Sequence, residues 1–136
     1  MEIDGGCHCG NITYGAEIDP ETVGICHCTD CQSLSGSAFR VSVRAAKDGF
    51  RLRSGQPKIY VKTAESGNKR AQAFCPECGT AIYASDVTDP QSFSIRVGTV
   101  RQRAELRPKS QGWCRSAQDW VMDLHSIKQF PKQRAG

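Results

Sequence analysis

The distribution of cysteine constrains the fold of this chain more than any other feature. The 136 residues contain eight cysteines, of which only Cys114 stands apart from the others. The remaining seven form three short clusters: Cys7 and Cys9; Cys26, Cys28 and Cys31; Cys75 and Cys78. Such spacing is typical of metal sites in which thiolates from separate loops converge on one ion. We therefore expect a single small domain that folds around metal.

The compartment decides between metal binding and the alternative of four disulfides, which an even cysteine count also allows. The first residues, Met1 to Asp4, lack the basic and apolar regions of a signal peptide. No stretch approaches the roughly 20 apolar residues that cross a bilayer. We therefore expect a cytoplasmic protein without a membrane partner, in which the thiols stay reduced and hold metal.

The formal charge of +4 would suit an anionic partner, but it counts every cysteine as neutral. A zinc ion held by four thiolates carries about −2 and one held by three carries about −1, so bound zinc brings the charge near neutrality. The basic residues are also scattered, without interleaved aromatic residues. Nucleic acid is thus an unlikely partner.

Short runs of alternating apolar and polar residues predict half-buried strands. These runs cover residues 12–18, 39–43, 50–52, 59–61 and 93–97. Turn signals separate them, including Asp48-Gly49 and Ser66-Gly67. Short helices are predicted at residues 29–34, capped by Thr29, and at 116–122. The pattern indicates a mainly β, antiparallel domain over residues 1–130, followed by a C-terminal tail at 131–136.

Zinc favours four ligands in a tetrahedral array, so seven cysteines divide most naturally into four and three. Cys26, Cys28 and Cys31 are close enough in sequence to hold one face of one ion. The two remaining pairs then complete a closed structural site: Cys7, Cys9, Cys75, Cys78. The three-cysteine site keeps a free coordination position, which makes its cysteines the candidate catalytic residues.

The histidines within the two Cys-x-Cys pairs are not expected to be ligands. In an extended segment residues i and i+2 share a side, so cysteines facing the metal would turn His8 and His27 away. An outer hydrogen-bonding role is expected for them instead. His125 is interpreted as a partly buried surface histidine and Cys114 as a small apolar filler.

Four motifs in this order resemble the family of glutathione-dependent formaldehyde-activating enzymes, which includes centromere protein V. They are residues 6–10, Gly-Cys-His-Cys-Gly; 26–31 followed by Ser-Gly-Ser-Ala-Phe at 35–39; 74–80, Phe-Cys-Pro-Glu-Cys-Gly-Thr; and the tryptophan-containing segment 112–120. The resemblance spans nearly the whole chain. It implies a β-tent fold and the same division into a structural and an active zinc site.

The resemblance also implies a function. The family joins glutathione and formaldehyde into S-hydroxymethylglutathione, and its broader class is carbon–sulfur lyase. We therefore expect a lyase that uses two zinc ions per chain and acts on the adduct of a small thiol and a small aldehyde. The alternatives from other classes are a non-catalytic, zinc-stabilised module that binds protein, and a redox sensor built on an empty three-cysteine site.

The expected mechanism is that the open zinc ionises a thiol substrate at neutral pH. Each of the other residues that could take part in the reaction has two possible interpretations. Asp30 either moves a proton or is a residue of the first helical turn. The arginines at 40, 44 and 53 either pair with glutathione carboxylates or are solvated strand charges. Trp113 and Trp120 either wall a pocket or pack in the core.

Overall fold

A computed structural model describes residues 1–134 of the chain. The strands in this range are β1 (Glu2–Gly6), β2 (Thr13–Cys26), β3 (Arg40–Ser54), β4 (Lys58–Thr63), β5 (Lys69–Phe74), β6 (Ala81–Asp86), β7 (Ser92–Arg96) and β8 (Ser110–Gly112). The helix α1 (Thr29–Ser35) lies between β2 and β3. The last two residues of the predicted tail, 135 and 136, lie outside the described range.

The strands form one sheet in the order β1-β2-β3-β7-β6-β5-β4. Every neighbouring pair on this path is antiparallel, and β8 adds to β2 in parallel orientation. The prediction of a mainly antiparallel β domain is confirmed. No helix among the described residues is long and apolar enough to span a membrane.

Strands β2 and β3 are longer than the sequence predicts. The predicted strands at 39–43 and 50–52 are both parts of β3, and the predicted turn at Asp48-Gly49 lies inside it. The prediction of a turn there is wrong because register shifts between β2 and β3 let the two strands curve without ending. Pro20 lies at one of these shifts, where no ladder hydrogen bond is required of it.

The first predicted helix is confirmed, and the second is wrong. Helix α1 covers the predicted segment, but its N-cap is Cys28, whose Sγ accepts a hydrogen bond from the Cys31 N–H, and not Thr29. Residues 116–122 form only a 3-10 turn at Cys114–Ser116 and isolated turns. The exposed side chains of Trp120 and Met122 give this segment no buried face to stabilise a helix.

The core lies where β1, β2, β3, β6 and β7 bury their apolar side chains. Its largest fully buried members are Tyr14, Ile12, Ile82, Ile95, Val23, Val43, Val100 and Cys75. Tyr14 also stacks on Phe50, with 5.4 Å between the ring centroids. Cys7 and Cys75 belong to this core, whereas no buried residue occurs in α1. One cysteine cluster is therefore built into the core, and the other sits at its margin.

Candidate metal centre

The first candidate site joins the N-terminal hairpin to the loop between β5 and β6. The thiol sulfurs of four cysteines lie within 4.8 Å of one another: Cys7, Cys9, Cys75, Cys78. The Cys9 Sγ is 3.6 Å from that of Cys7 and 3.8 Å from that of Cys75. Four sulfurs at the usual Zn–S distance of about 2.3 Å, arranged tetrahedrally, stand about 3.8 Å apart. The donor set therefore fits zinc.

Two tight turns bring these thiols together. The N–H of Gly10 donates to the Cys7 carbonyl at 3.2 Å, and the N–H of Gly79 donates to the Cys75 carbonyl at 2.8 Å. Both glycines have positive φ, near 80°, which a side chain would strain. The pair Cys7 and Cys9 converges through a turn and not through the extended segment that the sequence argument assumed.

Hydrogen-bond donors surround the sulfurs of this cluster. The N–H of Ile12 donates to the Cys7 Sγ at 3.1 Å, and that of Glu77 donates to the Cys75 Sγ at 3.4 Å. The Thr80 hydroxyl, 3.2 Å from the Cys78 Sγ, and the N–H groups of Thr80 and Cys9 lower the pKa of Cys78 to about 5. Such donors stabilise thiolates, the form that a metal requires.

The second candidate site is formed at the end of β2 and the start of α1. The sulfurs of Cys26, Cys28 and Cys31 also lie within 4.8 Å of one another. Within residues 1–134 no further cysteine, histidine or carboxylate joins this group. A tetrahedral ion held here would keep one position open to a small molecule.

The thiols of Cys26 and Cys28 differ in how readily they ionise. Burial raises the pKa of Cys26 to about 12, and the neighbouring thiols of Cys31 and Cys28 add to the rise. Burial would also raise the pKa of Cys28, but the Cys31 N–H, the neighbouring thiols and the positive charge of Lys62 together lower it. Without metal, therefore, the cluster does not hold three thiolates at neutral pH.

The three-cysteine cluster opens into a cavity of about 370 Å³ on one face of the sheet. Its walls include four cationic residues and, among all its lining residues, no aspartate or glutamate: Arg44, Lys62, Arg70, Arg96. Lys62 pairs with Asp30 and Arg70 with Asp86, each at 2.8 Å. The cavity is thus suited to an anionic ligand.

Arg96 and Arg44 are the two cavity cations that no carboxylate neutralises in the described chain. Arg96 donates to Ser42 Oγ and Gln72 Oε1, both at 2.9 Å. Burial and the charge of Arg40 lower the pKa of Arg96 to about 9, so it is still cationic at neutral pH. Arg44 is exposed, and the structure records no partner for its guanidinium among residues 1–134.

The structure places some of the other predicted residues at the cavity and some outside it. Asp30 lies in the first turn of α1 and pairs with Lys62. Trp113 lines the cavity beside the three cysteines with a left-handed φ of 54°, whereas Trp120 is exposed and lies outside that cavity. Arg53 is exposed on a strand and lies outside the cavity.

The histidines and the eighth cysteine lie outside both clusters. The buried His27 ring is 2.8 Å from Gln111 Oε1 through Nε2, in line with an outer role. His8 is exposed. Two expectations are wrong: His125 is almost fully exposed beside Asp123, and Cys114 is an exposed thiol and not an apolar filler. Both belong to the segment after β8, which has no buried face.

Sequence reasoning offered Arg44 as a possible partner of carboxylates but missed the other three cations of the cavity wall. Lys62, Arg70 and Arg96 come from three different strands and carry no motif. They meet because Lys62 on β4 is the cross-strand partner of Arg70 on β5, and because β7, which carries Arg96, lies two strands from β5. The order of the strands in the sheet brings these side chains to the cysteines, and local sequence patterns do not reveal that order.

Comparison with known proteins agrees with the motifs. Residues 2–116 match the family model described as glutathione-dependent formaldehyde-activating enzyme. No curated protein matches the chain. A crystal structure of a Rhodobacter sphaeroides protein, a structural genomics target, shares the fold with a TM-score of 0.61 and 17% sequence identity. The likeness covers 79% of this chain and 98% of that one.

Proposed function

The chain belongs to the family of glutathione-dependent formaldehyde-activating enzymes, and from this premise we propose that it is a zinc-dependent carbon–sulfur lyase. Its substrate would be the adduct of a small thiol and a small aldehyde, with S-hydroxymethylglutathione as the first candidate. One observation carries the proposal: a cluster of three thiols, without a fourth protein ligand in the described range, opens into a cationic cavity.

Zinc is the cofactor that we propose for both clusters, two ions per chain. Bound at the three-cysteine site, zinc would hold a thiol as its thiolate at neutral pH. The four-cysteine site has no such role, because its own sulfurs complete the tetrahedron. All eight cysteines are free thiols, which suits the reducing environment of the cytoplasm that we propose as the location.

The cavity residues supply recognition. A thiol such as glutathione carries two carboxylates, and Arg44 and Arg96 are the cations on the cavity wall that lack an acidic partner. We propose that Arg44, which is exposed, takes a carboxylate of the incoming thiol, while Arg96 balances the charge of the cysteines beneath it. Trp113 at the same wall would limit access of water.

The reaction needs one proton to move. In the direction of cleavage the C–S bond of the hydroxymethyl adduct breaks, its electron pair stays on sulfur, and the hydroxyl proton leaves as the carbonyl forms. No aspartate, glutamate or histidine lines the cavity. Solvent at the open side is therefore the proposed proton acceptor, and positioning of the two reactants is the main contribution of the protein.

The test follows adduct formation by two-dimensional exchange NMR at several concentrations of glutathione and formaldehyde, with the spontaneous reaction subtracted. We expect acceleration by the zinc-loaded protein and its loss in Cys31→Ala with one zinc retained. We expect Arg44→Gln to raise the KM for glutathione about tenfold, without a comparable effect for cysteamine, which lacks carboxylates. Arg53→Gln, a surface arginine outside the cavity, is the matched control.

The alternative of a non-catalytic protein-binding module predicts a different result. In that case the fully zinc-loaded protein would leave the exchange rate at the spontaneous value for every thiol and aldehyde tried. Cys31→Ala would then affect stability alone. This outcome, with two zinc ions present per chain, would overturn the enzymatic proposal.

A further inference from the structure

Arg40, at the start of β3, is a buried arginine that lacks the partner that its burial requires. Only 6% of its surface is exposed, and its Nε is enclosed without a hydrogen-bond acceptor. The structure records no side-chain hydrogen bond or ion pair for Arg40 within residues 1–134. Buried charges in proteins are ordinarily paired, because taking an unpaired ion out of water is costly. The guanidinium is therefore short of an anion.

Arg96 lines the cavity of the three-cysteine cluster, whereas Arg40 does not. The charges of Cys31 and Cys26 act on Arg96 to raise its pKa, whereas the charge of Arg40 acts to lower it. Arg40 and Arg96 both line a further cavity of about 640 Å³, where they are neighbouring like charges. An anion beside Arg40 would relieve the repulsion between the two cations.

Arg40 also lines a cavity of about 380 Å³. It differs from the cavity beside Cys26, Cys28 and Cys31, which is called the thiol cavity below. The two cavities share only Gln72, and none of the cysteines lines the second one. Its wall is mostly apolar: Leu34, Tyr60, Ala73, Phe74, Gly79, Ala81 and Tyr83. Leu34 and Tyr60 are 39% and 54% exposed, so the cavity opens to solvent.

The composition of this cavity specifies the chemistry of a ligand. It holds one cation at a buried wall, no acidic residue and an apolar lining from α1, β4, β5 and β6. Its volume lies within the range of roughly 300–1,000 Å³ in which small-molecule sites fall. A polar or dianionic ligand would leave the apolar lining unused, and a neutral one would leave the guanidinium without an anion.

We propose that this cavity binds a small organic monocarboxylate with an apolar body. The carboxylate pairs with Arg40, and the body lies against Leu34, Tyr60 and Phe74. This site is separate from the thiol cavity and does not depend on the lyase activity. It adds a carboxylate ligand to a protein whose proposed substrates are a thiol and an aldehyde.

The test uses the full-length protein loaded with two zinc ions, with 4-phenylbutyrate and its uncharged amide, 4-phenylbutyramide, as probes. Amide chemical-shift titrations give the dissociation constants and the location of binding. We expect shifts around α1 and β4 to β6, with at least tenfold weaker binding of the amide. We expect a loss of at least tenfold for Arg40→Gln and no change for Arg44→Gln, which alters the other cavity.

A second variant covers the case in which Arg40→Gln loses zinc or does not fold. Ala81→Leu keeps the guanidinium and fills the cavity that Ala81 lines. Loss of 4-phenylbutyrate binding with two zinc ions retained supports the proposal. Equal binding of acid and amide, unchanged binding by Ala81→Leu, or shifts confined to the thiol cavity would each overturn it.

Discussion

Removal of ligands from the two cysteine clusters is expected to destabilise the protein unequally. The four-cysteine cluster connects Cys9 with Cys75, 66 residues apart, whereas the other cluster spans only residues 26 to 31. A cross-link stabilises by restricting the unfolded chain, and the effect grows with the length of the closed loop. The relevant pair of variants is Cys75→Ala/Cys78→Ala against Cys28→Ala/Cys31→Ala, both in the presence of zinc.

The expected difference can be worked from the loop lengths. The chain-entropy relation gives about 4 kcal/mol for a closed loop of about 66 residues and about 2 kcal/mol for one of about five. Cys75 is also fully buried, and its truncation adds the loss of packed atoms. A difference of about 2 kcal/mol in unfolding free energy corresponds to roughly 7 °C in Tm for a chain of this size.

Thermal unfolding followed by circular dichroism, with zinc counted by atomic emission, measures this difference. Each double variant should lose one zinc ion, and the variant of Cys75 and Cys78 should melt at least roughly 7 °C lower than the other. Cys114→Ala, an exposed cysteine outside both clusters, is the control and should melt as the wild type does. A chelator should reduce the difference to the packing contribution of Cys75.

Equal Tm losses in the two double variants would refute the reasoning. A larger loss for Cys28→Ala/Cys31→Ala would reverse the structural and functional roles of the clusters. Either result would show that the four-cysteine site does not act as the long-range cross-link.

Three further predictions concern single residues. Burial raises the pKa of Tyr14 from 10.0 to about 12, so the contribution of this shift to stability is complete below pH 10 and is lost as pH rises through 12. Tyr14→Phe should lower the unfolding free energy by about 1 kcal/mol at pH 8, but the unfolding free energy of the variant should fall less steeply with rising pH. Denaturant titrations at each pH measure both effects. Gly5→Ala should lower the unfolding free energy by about 2 kcal/mol or more, because its Cβ would stand 2.2 Å from the Thr99 carbonyl oxygen, whereas Gly98→Ala, with open space around it, should be nearly neutral in the same melts. Trp113→Gly relieves a backbone strain of about 1 kcal/mol and should keep both zinc ions and its Tm within a few degrees while it lowers the rate of adduct exchange; a full exchange rate would contradict a role for the indole at the cavity.

The grouping of the cysteines could be predicted from the sequence because metal coordination imposes its own geometry. Three thiols within six residues can meet at one point almost regardless of the fold, and the four that are left must then meet each other. Parts of β2, β3, β4 and β7 could be predicted for a similar reason, since alternation of apolar and polar residues marks a strand. The strands β1, β5, β6 and β8 lie outside the predicted runs. Family motifs pointed to the same arrangement.

The cavities could not be predicted, because they depend on strand order. Arg44, Arg70 and Arg96 lie on β3, β5 and β7, and each alone has the pattern of a solvated strand residue. The burial of Arg40 gave no signal either, because a single arginine at the start of a strand looks the same in sequence whether it is buried or solvated. The predicted helix at 116–122 failed because local propensity was weighed without knowledge that its apolar side chains, such as Met122, stay in solvent.

Helix α1 connects folding of a short segment to occupancy of the three-cysteine site. It has seven residues, buries none of them and is capped by Cys28, whose Sγ accepts a hydrogen bond from the N–H of Cys31. A helix of this length does not persist in water unaided. Amide hydrogen exchange at Gln32 and Gly36 should therefore quicken when the ion departs, while the sheet stays protected. The metal-free protein would then differ from the loaded protein by a loosened turn on its surface.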